Sequence, residues 1–263
     1  MKSDANTIIL EDDLYSLNWM SLLLVRDWRT RVIGEVCNQQ QLERLLQDES
    51  TFFDMILMDV DIIGKTFDVD QTMALFNAMP KKFKVLCIGS QADCKAYQYA
   101  AFSKFCGFIL KQEIGYSLGW ALSFANEGEM VFTPSTYEHA LNAGLEIPKN
   151  KLILRGRTKF AGFTDRETEV ARLAIIFSIG RRDLADELKI SDQWSYGLVS
   201  ELYNKMGLSD LFADLDGMRS YFGDNEIIQR HIDEIMESLG SSKKAKDMET
   251  LAFHLLTMPD FEE

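Results

Sequence analysis

Short apolar runs and helical segments alternate through the first half of the chain, and this alternation constrains the fold more than any other feature. The runs Thr7–Leu10, Arg31–Val36, Asp54–Met58, Lys84–Ile88 and Gly107–Leu110 are rich in β-branched and large aliphatic residues, as strands are. Each precedes a longer stretch with helical spacing: Leu14–Trp28, Gln39–Gln47, Val69–Met79, Ala92–Lys104 and Ile114–Asn126. Parallel strands need crossover connections, and crossovers cover both faces of the sheet. Five successive units therefore predict a doubly wound, five-stranded parallel α/β sheet. Ligands of such sheets bind outside the carboxyl ends of the strands, so the chemistry is expected there.

A length of 263 residues suits two domains, and the second half reads differently from the first. Around Met130–Asn150 the pattern loosens, with Pro134 and Pro148 flanking a short helical stretch, Thr136–Asn142. Thr164 followed by Glu167 forms a capping-box pattern that opens the helix Arg166–Phe177. Then follow Arg181–Leu188, a turn at Lys189–Ser191, Asp192–Met206 and Ser209–Phe222. An amphipathic helix, Asn225–Leu239, and a short apolar tail complete the chain. The expected boundaries are 1–129 for the α/β domain, 130–159 for a linker with a short helix, 160–222 for an all-α domain, and 223–263 for an acidic helical extension.

Charge and composition narrow the function classes. With 28 basic and 41 acidic side chains the net charge is −13, spread as −7 over residues 1–150, zero over 151–215 and −6 over 216–263. Only the middle block lacks acidic excess, and nucleic-acid phosphates respond to such local balance rather than to overall charge. The longest strongly apolar stretch, Leu173–Ile179, is too short to span a bilayer, and Met1 is not followed by a basic-then-apolar leader. Cytoplasm, without membrane association, is the expected address. Four cysteines without metal-ligand spacing and three histidines argue against a zinc or disulfide scaffold.

Glu11, Asp12 and Asp13 directly follow the first strand, Asp59 ends the third, and Lys111 follows the fifth. Adjacent strand ends would gather these carboxylates in one crevice, where their mutual repulsion favours a hard divalent cation. Mg²⁺ is the expected ion, since it binds through one or two carboxylates together with phosphate oxygens. The Lys111 ammonium could pair with a phosphoryl group or with Asp59 itself.

On these residues, about 7–127 resemble a receiver domain of two-component response regulators, which has the flavodoxin-like fold. The resemblance implies Asp59 as phospho-acceptor, Lys111 as its catalytic partner, and Glu11, Asp12 and Asp59 as metal ligands, with Asp61 lending its backbone carbonyl. It implies a sensor histidine kinase as partner in a phosphorelay. One position departs from the pattern: the family carries Thr or Ser at the end of the fourth strand, and this chain has Gly89. Ser90 comes one residue late, and a one-residue slip reverses side-chain direction. Phe108, at the aromatic position of the fifth strand, can pack but cannot hydrogen-bond. The acceptor pocket is thus expected intact and the switch altered.

Residues 163–208 resemble the LuxR-type helix-turn-helix of the NarL/FixJ class through TDRETEV, DLADEL, KIS and KMGL, with one residue inserted before Arg181. Such a motif lays its second helix in the DNA major groove. On that helix Ser195, Val199, Leu202 and Met206 form the core-facing stripe, leaving Gln193, Gly197, Ser200, Glu201 and Asn204 on the opposite side, flanked by Trp194 and Tyr196. Gln193, Tyr196, Ser200 and Asn204 are the candidate base readers, and Arg155, Arg157, Lys159, Arg181 and Arg182 the candidate phosphate contacts. No lysine or arginine lies on the reading face, and Glu201 would repel phosphates.

Two functions stay open: a DNA-binding, homodimeric transcriptional regulator, or a pseudo-regulator acting through protein contacts made by Trp194, Tyr196 and Leu198. Enzyme activity in the ordinary sense is not expected, because no nucleophile–base pair stands out beyond the acceptor cluster.

Overall fold

The computed structural model describes residues 4–48, 50–92, 104–160, 162–208, 225–239 and 245–262. The helix expected over Ala92–Lys104 falls mainly on 93–103, and that expected over Ser209–Phe222 falls wholly outside the described residues. The chain divides into two compact units, residues 1–156 with 259–263, and residues 157–258.

The first unit is built on a sheet of β1 (Ala5–Leu10), β2 (Thr30–Val36), β3 (Met55–Asp59), β4 (Lys84–Gly89) and β5 (Phe105–Leu110) in the order 2-1-3-4-5, all parallel. β3 and β5 are buried at every residue, as strands covered on both faces must be. β2, at the sheet edge, alternates between exposed and partly buried residues in its middle. Between the strands run α1 (Leu14–Arg26), α2 (Gln39–Gln47) and α3 (Val69–Ala78). Each starts where a polar side chain closes the first turn: Asp13 accepts from the Ser16 amide, Asn38 from Gln41 and Asp68 from Gln71.

Among the described residues the sheet has eight strands, which corrects the expected five. β6 (Met130–Phe132) and β7 (Lys151–Gly156) continue it in parallel beyond β5, and β8 (Pro259–Glu262) closes it antiparallel to β7. The segment expected as a linker therefore carries two strands and the helix α6 (Pro134–Asn142), and the expected helical extension ends in a strand of the first unit. β6 is too short to show a period, and β8 opens with a proline and carries acidic residues, features of an edge strand rather than an apolar run. The helix expected over Ile114–Asn126 is also broken. α4 (Lys111–Ile114) and a 3₁₀ turn at Gly115–Ser117 precede α5 (Leu118–Glu127).

The second unit opens with α7 (Asp165–Ala171), where the Thr164–Glu167 capping box forms as its sequence pattern requires. The helix continues as a π turn over Arg172–Ile176, with the Phe177 amide donating to the Arg172 carbonyl at 2.9 Å. A π turn holds one residue more than an α turn. α8 (Arg181–Leu188) ends at Lys189, in the left-handed region at φ +55°, and α9 (Asp192–Lys205) starts after the Ser191 cap. Ser195, Val199, Leu202 and Met206 are buried as the helical stripe predicts. α10 (Glu226–Leu239) buries Ile228, Ile232 and Ile235, and α11 (Ala245–Thr257) packs against the π turn. No described helix is long and apolar enough to cross a membrane.

Candidate functional site

β1 and β3 are hydrogen-bonded neighbours with Leu10 opposite Met58, so Glu11 and Asp59 emerge side by side at the carboxyl edge of the sheet. Both are about 1% exposed. Lys111, the first residue of α4, reaches both: its ammonium lies 3.1 Å from Glu11 Oε2 and pairs with Asp59 Oδ2. It also donates to Ser16 Oγ at 2.7 Å. The second oxygen of each carboxylate is held by backbone, Glu11 Oε1 by the Asp13 amide at 3.0 Å and Asp59 Oδ1 by the Asp61 amide at 2.8 Å. Two carboxylates and one ammonium thus meet in a pocket whose walls are strand ends.

Burial pushes the Asp59 carboxyl up, and its hydrogen bond with Glu11 adds to this against the pull of Lys111, to about 8. Burial works in the same direction on Glu11, but bonds from Asp59, Ser16 and the Asp13 amide, with the Lys111 charge, outweigh it and hold Glu11 near 2. One proton shared by the pair and resting on Asp59 accounts for both directions. Burial disfavours the Lys111 charge, yet its contacts with Asp59 and Glu11 raise its pKa overall.

Asp12 lies outside this knot. It is exposed, and its Oδ2 accepts from Thr66 Oγ1 at 2.9 Å. The Asp61 side chain turns the other way and accepts the Ser90 amide at 2.9 Å. Thr66, Ser16 and the Ser90 amide carry no marker in the sequence, because each acts through a contact made by the fold. The donor set suits a hard cation: buried carboxylate oxygens at Glu11 and Asp59, an exposed one at Asp12, and a shared proton that a divalent charge would displace.

Gly89 proves to be more than a missing hydroxyl. A Cβ at this position would lie 2.7 Å from Val60 Cγ2 and 3.3 Å from Phe108 Cε2, so the space a Thr side chain would need is filled. Phe108 is fully buried in the same core cluster as Val60. Ser90 is exposed and meets the site loop through its backbone, as its one-residue offset predicts.

In the helical unit Ser195 Oγ donates to the Arg181 carbonyl at 3.0 Å, tying the start of α8 to α9. Gln193, Tyr196, Gly197, Ser200, Glu201 and Asn204 are exposed on α9. Trp194 and Tyr196 are 61% and 62% exposed. Arg182 is exposed at the start of α8 and Arg181 is half-buried beside it, while Arg157 and Lys159 lie in the segment leading to α7. Arg155 belongs elsewhere: it sits on β7 in the first unit and pairs with Glu262 of β8. Residues 151–156 are thus a strand and not the expected linker.

No protein-family model matches the chain, and no curated protein matches it. Among solved structures it is similar to the response regulator RcsB of Salmonella typhimurium, at 16% identity over 83% of this chain and 98% of that one, with a TM-score of 0.46. A structure of RcsB in complex with DNA gives the same identity and score over 84% of this chain. The response regulator ChrA of a heme-sensing two-component system matches at 18% identity over 83% of this chain and 98% of its own, with a TM-score of 0.41.

Proposed function

We propose that the chain is a two-component response regulator in which Asp59 accepts a phosphoryl group from a sensor histidine kinase. The observation that carries this reading is the buried Glu11–Asp59 pair bridged by Lys111 at the carboxyl ends of β1, β3 and β5. An Asp59 carboxylate oxygen attacks phosphorus, a P–O bond forms, and the P–N bond to the donor imidazole breaks with its electron pair left on nitrogen. Lys111 is placed to neutralise the charge that gathers on the phosphoryl oxygens. Glu11, Asp12 and Asp59, with the Asp61 carbonyl, would hold Mg²⁺, which would add charge stabilisation. The first test is mass spectrometry of the purified protein after acetyl phosphate treatment. With millimolar Mg²⁺ a single phosphoryl adduct is expected, and none in EDTA. An unchanged mass in both conditions would make the pocket a relic.

For the helical unit we propose DNA as the partner of a homodimeric cytoplasmic transcription regulator, with Arg157, Lys159, Arg181 and Arg182 on phosphates and Gln193, Tyr196, Ser200 and Asn204 toward bases. Arg182→Ala should weaken binding to all sequences alike and lower the salt slope by about one, whereas Asn204→Ala should cost roughly 1–3 kcal/mol at a single base position. Gel shifts at several salt concentrations read both effects. A second reading rests on the exposed Trp194 and Tyr196, aromatic anchors of the kind found at protein interfaces. If the full chain and a fragment ending at Leu215 both fail to bind genomic DNA at low salt, a protein partner on α9 is the better assignment.

A further inference from the structure

We propose that α4 is the output lever of this chain, carrying a change at the acceptor pocket to β7 and β8, the two strands between which the helical unit is inserted. The inference rests on the phosphoryl-acceptor reading for its trigger and on geometry alone for its path.

Each of the four residues of α4 has its own attachment. Lys111 holds Glu11 and Asp59. Gln112 donates from Nε2 to the Ser90 carbonyl at 2.9 Å, and the Ser90 amide in turn donates to Asp61, so the loop beyond the acceptor is joined to α4 as well. Glu113 accepts the Ser135 amide at 3.1 Å and the Ser135 hydroxyl, at the start of α6. Ile114 meets Gly156 backbone to backbone: a Cβ on Gly156 would fall 2.1 Å from the Ile114 carbonyl oxygen and 3.2 Å from that of Glu113. Gly156 is the last residue of β7 and the register partner of Pro259, the first of β8. The helical unit leaves the sheet after one of these residues and returns at the other.

A four-residue helix is too short to absorb a displacement of its first residue internally. Where the Lys111 backbone follows its ammonium toward a phosphoryl group on Asp59, Gln112 and Glu113 shift with it or release their bonds, and the Ile114 carbonyl presses on or withdraws from Gly156. The two states are thus Lys111 on two carboxylates and Lys111 on a phosphoryl group, and coupling requires only that β7 differ in free energy between them. The route avoids Gly89 and Phe108, where Val60 already fills the space.

Hydrogen exchange of the amides in 151–156 and 259–262 reads the lever directly, with fluorine NMR on the same sample reporting whether beryllofluoride binds. In the full chain, beryllofluoride with Mg²⁺ should change exchange in both strands by about tenfold, and Gln112→Ala combined with Glu113→Ala should abolish most of that change while fluoride still binds. Bound fluoride with unchanged exchange in the two strands overturns the lever and leaves the acceptor reading standing. Absence of bound fluoride counts against the acceptor reading, and the lever is then judged by Lys111→Met, which removes the first attachment without any phosphoryl chemistry. That variant should speed exchange in 151–156 and 259–262 while β1 and β3 stay protected. Unchanged exchange in Lys111→Met overturns the lever.

Discussion

Asp59→Asn is expected to accept no phosphoryl group and yet to be more stable than the wild-type chain at neutral pH. Asp59 is buried beside Glu11, and its carboxyl rises from an ordinary 3.8 to about 8. A raised folded-state pKa means that the folded protein keeps a proton which the unfolded chain releases, so this group stabilises fully below its ordinary value and loses that contribution as pH climbs to about 8. Glu11 has the opposite sign, its contribution being present above its ordinary 4.5 and lost as pH falls through about 2. The two windows overlap only between 3.8 and 4.5, so the fall from pH 4.5 to about 8 reports Asp59. Asparagine carries no proton to lose and leaves Glu11 paired with Lys111, so the variant should gain on the order of 1–3 kcal/mol near neutral pH. Thermal unfolding in EDTA across this window measures it. A wild-type curve parallel to that of Asp59→Asn would show that Asp59 is already ionised in the folded state.

The second large effect is structural. Gly107 lies in β5 between β4 and β6 at φ +143°, and a Cβ there would fall 1.9 Å from the Val131 carbonyl oxygen of β6. Backbone does not yield as a side chain does, so Gly107→Ala combines an unfavourable φ with overpacking and should cost at least about 3 kcal/mol. Gly144→Ala, where φ is +73° and nothing lies within 4 Å, carries only the conformational part, about 1 kcal/mol. Urea unfolding compares the two. Equal losses would mean that β6 is not held against β5 as described. Since β6 carries β7 and β8, Gly107→Ala should also release protection at 151–156 and 259–262 before it does so in β1 and β3.

The parts that can be read from residues alone are those where one local rule suffices. β1, β3, β4 and β5 are covered on both faces, so their burial is written as largely apolar runs, and the acidic and basic side chains that end or follow β1, β3 and β5 mark the pocket. The Thr164–Glu167 box and the stripe through Val199 and Met206 follow the helical period for the same reason. The π turn at Arg172–Ile176 has no such local signature.

What only the tertiary structure decides are the contacts between segments distant in sequence whose own patterns are weak. β8 pairs with β7 although Arg155 and Glu262 stand 107 positions apart, and a four-residue strand opening on proline carries no periodic signal. That pairing moves Arg155 from a linker to a sheet and makes the helical unit an insertion. At the pocket, position after the apolar runs places Glu11, Asp59 and Lys111 together, because strand ends converge in a doubly wound sheet. Ser16, Gln112 and the Val60 side chain against Gly89 join them only through three-dimensional proximity. A sequence by itself determines which residues must be buried and where strands end, since those depend on local hydrophobic pattern; which backbones approach closely enough to exclude a Cβ depends on packing across the whole unit, and at Gly89, Gly107 and Gly156 the fold alone decided it.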